Sequence, residues 1–218
     1  MVSISYFTVK NEALAEFDEK KSIFIGHVKR VQTEDEAKEF ISKIKKSHKE
    51  ARHNVFAYII GVNKGIQRYS DDGEPQGTGG IPILEVLKKN DLTDVVVVVT
   101  RYFGGILLGT GGLARAYSKG AVLAIEESGV VEKVLGLPIN ITIEYDLLGK
   151  IQYLCGTKQW HIEDTSYTDK VELILYCESA MLEEMKNAFI ESTNGKAIIS
   201  EGDVEYFFKK ENRLFMVD

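Results

Sequence analysis

After Thr33 the chain sets apolar residues at 37, 40, 41 and 44 among charged ones, the spacing of an amphipathic helix, and Thr33 with Glu36 forms the capping box that starts it. Phe24, Ile25 and Val28 mark a strand just before it. Beyond the helix, NVFAYIIGV and GIQRYS read as a hairpin-like pair of strands, and PILEVLKKN as a helix with Pro82 near its first turn. DVVVVVTRYF is β-branched without alternation and predicts a central strand covered on both faces. The helix LARAYSKGAVLAIEES follows, with Leu113, Tyr117, Ala121 and Ala124 on one side.

From Leu137 the pattern starts over. LPINITIEYD alternates as a strand does, and DLLGKIQYLC places apolar residues at 147, 148, 151, 154 and 155 as a helix does. Two strands, HIEDTSYT and KVELILYC, precede a helix around Leu182, Met185 and Phe189 that stops at Asn194-Gly195, and AIISEGDVEYFF is a last strand. The order βαββαβ predicts a ferredoxin-like α+β sandwich. Pro138 marks the seam, so the expected domains are residues 1–135 and 136–218, with proteolysis cutting first near 134–140.

Composition narrows the class. Of 218 residues 44% are hydrophobic and 28% charged, as in a soluble globular protein, and no apolar run approaches the roughly 20 residues of a membrane span. The amino terminus has no signal-peptide core, so the chain is expected to be cytoplasmic, without a membrane partner. Cys155 and Cys177 lie among apolar residues and are expected to be buried thiols. The net charge of −6 is uneven: residues 1–135 hold 19 Lys and Arg against 18 Asp and Glu, the remainder 8 against 15. An acidic second half is ill suited to phosphate backbones, so a nucleic-acid partner would have to meet the first half. There Lys43 to Arg52 forms a basic patch, but no basic-aromatic strip is visible along the chain.

Candidate chemistry concentrates in two glycine-rich stretches. RYSDDGEPQGTGGIP, residues 68–82, crowds Asp71, Asp72 and Glu74 among Gly73, Gly77, Gly79 and Gly80. GGILLGTGG leads into a helix with Arg115 in its first turn, an arrangement able to hold an anion. It lacks the Lys and Ser/Thr of a P-loop. GTGGLA matches G-x-G-x-x-A but is separated from the preceding strand by an arginine, two aromatics and an apolar triplet. No nucleophile triad or zinc motif is legible, and the carboxylate spacing is not that of an EF-hand, so neither metal nor cofactor is expected.

KSIFIGHV, ARHNVFAY, RYSDDGEPQGTGGIPILEVL and VVVVVTRYFGGILLGTGGLARAY resemble successive signature blocks of the IMPACT/YigZ family, and the second half is similar to that family's bacterial carboxy-terminal domain. The resemblance implies an α+β protein of two domains. The first would be a two-layer α/β domain like the second domain of a small-subunit ribosomal protein, the second a ferredoxin-like domain of the elongation factor G kind. It also implies a cleft lined by Lys21, Ser22, His53, Asp71, Asp72, Glu74, Gly79, Gly80, Arg101, Tyr102, Gly104, Gly105, Gly109 and Arg115. Asp71, Asp72 and Arg101 are expected to share one site, and Arg101 and Asp72, if partners there, to be energetically coupled. Eukaryotic relatives regulate translation under amino-acid stress but carry a different appended domain. The implied function is a non-catalytic regulator or accessory factor of translation, meeting RNA, a ribosomal surface or another anionic ligand or translation-associated protein through residues 1–135. The alternative is a hydrolase of small molecules or peptides, with His53 and Asp72 as acid and base and Arg101 as anion clamp.

Overall fold

The computed structural model describes residues 5–216, which divide into two units, Tyr6–Val131 and the residues from Glu132 onward. In chain order the first unit contains β1 (Tyr6–Val9), β2 (Ala13–Glu19), β3 (Ser22–Arg30), α1 (Glu34–Ser47), β4 (His53–Ile60), β5 (Ile66–Ser70), α2 (Gly80–Lys89), β6 (Val95–Tyr102) and α3 (Gly109–Ser128). Its sheet runs β2-β3-β6-β4-β5, each neighbouring pair antiparallel.

The valine run of β6 is the middle strand and is buried throughout. Successive side chains leave a strand on opposite faces. Val95, Val97 and Val99 therefore meet α2 and α3, while Val96 and Val98 meet Ala37, Phe40, Ile41 and Ile44 of α1. The sheet against α2 and α3 is the two-layer core, and α1 covers the other face. The cap forms with one shift from the expected box: the Glu36 amide donates to Thr33 Oγ1 at 3.2 Å, and the Glu36 carboxylate accepts from the amide of Gln32, one residue before the N-cap, at 2.7 Å.

β7 (Val130–Ile143) enters the second unit at Glu132 and is followed by α4 (Leu148–Lys158), β8 (Ile162–Tyr167), β9 (Val171–Glu178), α5 (Leu182–Ser192), β10 (Ile198–Glu201), β11 (Glu205–Lys210) and β12 (Arg213–Met216). The order β10-β7-β9-β8 is the ferredoxin-like arrangement, with α4 and α5 packed on Ile139, Ile141, Leu173 and Leu175. β12 pairs with β11, adding a hairpin on the β7 side. Both cysteines are free and buried, and burial pushes their thiols up to about 11 and about 12.

The expected seam at 134–140 is corrected: those residues lie inside β7, paired with β9 on one edge and with β10 and β11 on the other. Pro138 sits between the β10 and β11 pairings, where its carbonyl accepts from the Gly202 amide at 2.9 Å. That gap tolerates the missing N–H.

His27 of β3 is buried under α1, its ring 5.0 Å from that of His48 and its Nε2 without a partner among the described residues. Burial, then the His48 charge, with a smaller push from Lys43 and an opposing pull from Glu12, lowers its pKa from 6.5 to about 4. Between those values the unfolded chain binds the extra proton. The stabilising contribution is therefore complete above about pH 6.5 and is lost as pH falls toward 4. Urea unfolding should give a lower midpoint at pH 5 than at pH 7, and His27→Leu should shrink that difference; an equal difference in the variant would contradict the assignment.

Candidate functional site

β6 ends in Arg101, whose neighbours across the sheet are Phe24 on β3 and His53 on β4. By parity with Val97 and Val99, Arg101 points toward α3, and it is 5% exposed. Its Nη1 donates to Glu74 Oε1 at 2.7 Å, and its Nη2 lies 3.4 Å from Ser22 Oγ. The guanidinium is flanked by Phe24 and Phe103, at 5.4 and 5.3 Å from the ring centroids. Glu74 is equally buried and also accepts from the Tyr117 hydroxyl of α3 at 2.7 Å. Burial and the adjacent Glu74 carboxylate push the Tyr117 hydroxyl far up, so it remains a donor.

The other two carboxylates have separate tasks. Asp71 accepts from the amides of Gly77, Gly79 and Gly80 at 2.8, 2.9 and 2.8 Å. It thus supplies the start of α2 with the side-chain acceptor that its own N-cap, Gly79, lacks. Asp72 accepts from the Asn54 amide at 2.6 Å and from Lys45 Nζ of α1 at 2.6 Å. His53 Nδ1 lies 2.9 Å from the Asp72 carbonyl, which can only accept, so Nδ1 carries the proton. Its Nε2 is 3.8 Å from Glu74.

Of the expected cleft residues, Ser22, His53, Asp72, Glu74 and Arg101 form one connected network, joined to Asp71 through the loop, where the Glu74 amide donates to the Asp71 carbonyl. Gly104 and Lys21 meet at its rim: the Gly104 amide donates to Ser22 Oγ, and a Cβ at Gly104 would lie 1.8 Å from the Lys21 carbonyl oxygen. Gly80 is also held close to the Ser70 carbonyl, where an added Cβ would lie 2.9 Å from the oxygen.

Three expectations are corrected. Arg101 pairs with Glu74, not Asp72, because the Asp72 carboxylate is turned to Asn54 and Lys45. Tyr102 faces away, as its strand position demands, and its hydroxyl contacts His48 Nδ1 at 2.9 Å. α3 begins at Gly109, so Arg115 lies beyond the first turn, exposed; Gly105 and Gly109 have open space around them. Sequence reading assigned Tyr117 to the core alone and overlooked Asn54 and Lys45. The phenol on an otherwise apolar helix face was the available signal for Tyr117.

The arrangement is a buried charge network that fixes a loop, three strands and α3. With the ferredoxin-like second unit it defines a class of two-unit α+β proteins. Residues 20–125 match the Impact N-terminal domain, and residues 141–196 match a domain of unknown function, DUF1949. The chain is 47% identical over 210 residues to the IMPACT family member YvyE of Bacillus subtilis (strain 168), covering 96% of this chain and 97% of that protein. It is 33% identical to the IMPACT family member YigZ of Escherichia coli (strain K12), covering 81% and 87%. A crystal structure described as that of a hypothetical protein superposes with a TM-score of 0.59 at 30% identity, covering 89% of this chain and 96% of that one. The chain belongs to the IMPACT family.

Proposed function

We propose that this protein is a non-catalytic accessory factor of translation that meets ribosomal RNA through its first unit. The observation that carries this reading is the division of charge within that unit. The acidic glycine loop is satisfied internally, whereas α1 and the turn after it hold Lys38, Lys46 and Lys49 outward. Lys46 and Lys49 have no carboxylate partner among the described residues, and exposed cations of this kind attract phosphate backbones. The hydrolase alternative finds no support in the geometry, because its clamp, Arg101, is buried against Glu74, and its base, Asp72, is bonded to backbone and Lys45. Among the described residues no helix is long and apolar enough to cross a membrane.

The test is sedimentation of the whole chain with ribosomes. Association should be measurable at low salt and weaken as salt rises, with a shallow slope because few lysines converge. Absence of association at every salt, or substrate turnover that His53→Ala abolishes, would overturn the proposal.

A further inference from the structure

Between α1 and the β4–β5 hairpin lies a groove of about 570 Å³. Lys38, Lys45, Lys46 and Lys49 stand along its helical side and Arg68 on the edge strand β5; Phe56 and Tyr58 of β4 also line it. The two rings lie nearly parallel, with centroids 6.3 Å apart and planes 7° apart. Tyr58 is buried, its hydroxyl bonded to Glu34, whereas Phe56 is only partly covered. Three of these cations have a carboxylate nearby, Asp35 at Lys38, Asp72 at Lys45 and Glu34 3.8 Å from Arg68, whereas Lys46 and Lys49 have none among the described residues.

This strip could not be read along the chain, since α1 and the hairpin contribute separate parts of it. Resting on the proposed function, we infer that the groove binds a single-stranded segment of RNA, with phosphates along the lysines and a base against Phe56. A row of cations beside an aromatic surface is the arrangement by which proteins hold unpaired nucleotides, because every base has a face that stacks. A duplex hides those faces. An acidic peptide would satisfy the lysines but leave the ring without a role.

The experiment follows fluorescence anisotropy of a labelled oligouridylate of about 12 nucleotides, a length within the usual site sizes. Its duplex with oligoadenylate and an oligoglutamate peptide serve as competitors. Lys46→Glu with Lys49→Glu should weaken oligouridylate binding about 10-fold or more and flatten the salt dependence. Phe56→Leu, which keeps an apolar side chain against α1, should weaken it about 5-fold or more, and Phe56→Tyr should restore it. Circular dichroism and the unfolding midpoint establish that each variant is folded. Binding untouched by Phe56→Leu, or equal competition by duplex or peptide, would overturn the groove assignment. Ribosome sedimentation of the same variants separates the two claims. Ribosome binding that survives both changes would leave the accessory-factor reading standing and remove the groove; oligouridylate binding without ribosome binding would do the reverse.

Discussion

Arg101→Ala should destabilise the protein by about 3–5 kcal/mol, because it leaves the Glu74 carboxylate buried without its cation. Both side chains are 5% exposed, so water cannot take over the role of the missing guanidinium. Tyr117 would still donate to Glu74, but one neutral hydroxyl does not offset a buried charge. Arg101→Lys should recover only part of the loss. An ammonium cannot present two separate nitrogens to Glu74 and Ser22 from between Phe24 and Phe103. Thermal and urea unfolding of Arg101→Ala, Glu74→Gln and the double variant form the decisive set. The double change should be less harmful than the sum of the single ones by at least about 1 kcal/mol, since each single change strands the other group. The same cycle with Asp72→Asn should show weaker coupling. Equal coupling would return Asp72 to the role assigned from sequence.

The contrast between Glu74 and Asp72 shows where sequence reading stops. Periodicity made β6 legible as a strand buried on both faces with Arg101 at its end, and the family resemblance set the acidic loop beside it. Three carboxylates lay in one loop, and nothing in their order said which would reach it. The choice depends on loop backbone geometry, with Asp72 at φ 46° and Gly73 at φ 87°, which turns Asp72 back toward β4 and carries Glu74 inward to Arg101. β1, β2 and β12 were also illegible. β2 alternates between exposed and half-covered positions without a strongly buried face, and β1 and β12 have four residues each, too short for a period to register. In the second unit the alternating strands and the Asn194-Gly195 stop, at φ 51° and 75°, carried the pattern clearly enough to imply the ferredoxin-like order.

Glycine chemistry gives the other large expected effect. Gly26, in the middle of β3, faces Gly120 of α3, and a Cβ placed on Gly26 would lie 2.1 Å from the Gly120 carbonyl oxygen. A Cβ on Gly120 would in turn lie 2.9 Å from Val99 Cγ1. The two glycines thus let a helix backbone rest directly on the sheet, close to the Tyr117 position that completes the charge network. The obstacle at Gly26 is main chain, which cannot turn aside as a side-chain tip can. Gly26→Ala should therefore push α3 from β3 and cost about 3 kcal/mol or more, at or beyond the upper end for overpacked cores. Gly149, in α4, provides the opposite case: nothing lies within 4 Å of its added Cβ, and alanine there should be neutral or stabilising by up to about 1 kcal/mol. Unfolding midpoints of the two variants, measured side by side, test the distinction. A Gly26→Ala protein as stable as Gly149→Ala would mean that α3 does not sit on β3 as closely as this geometry requires.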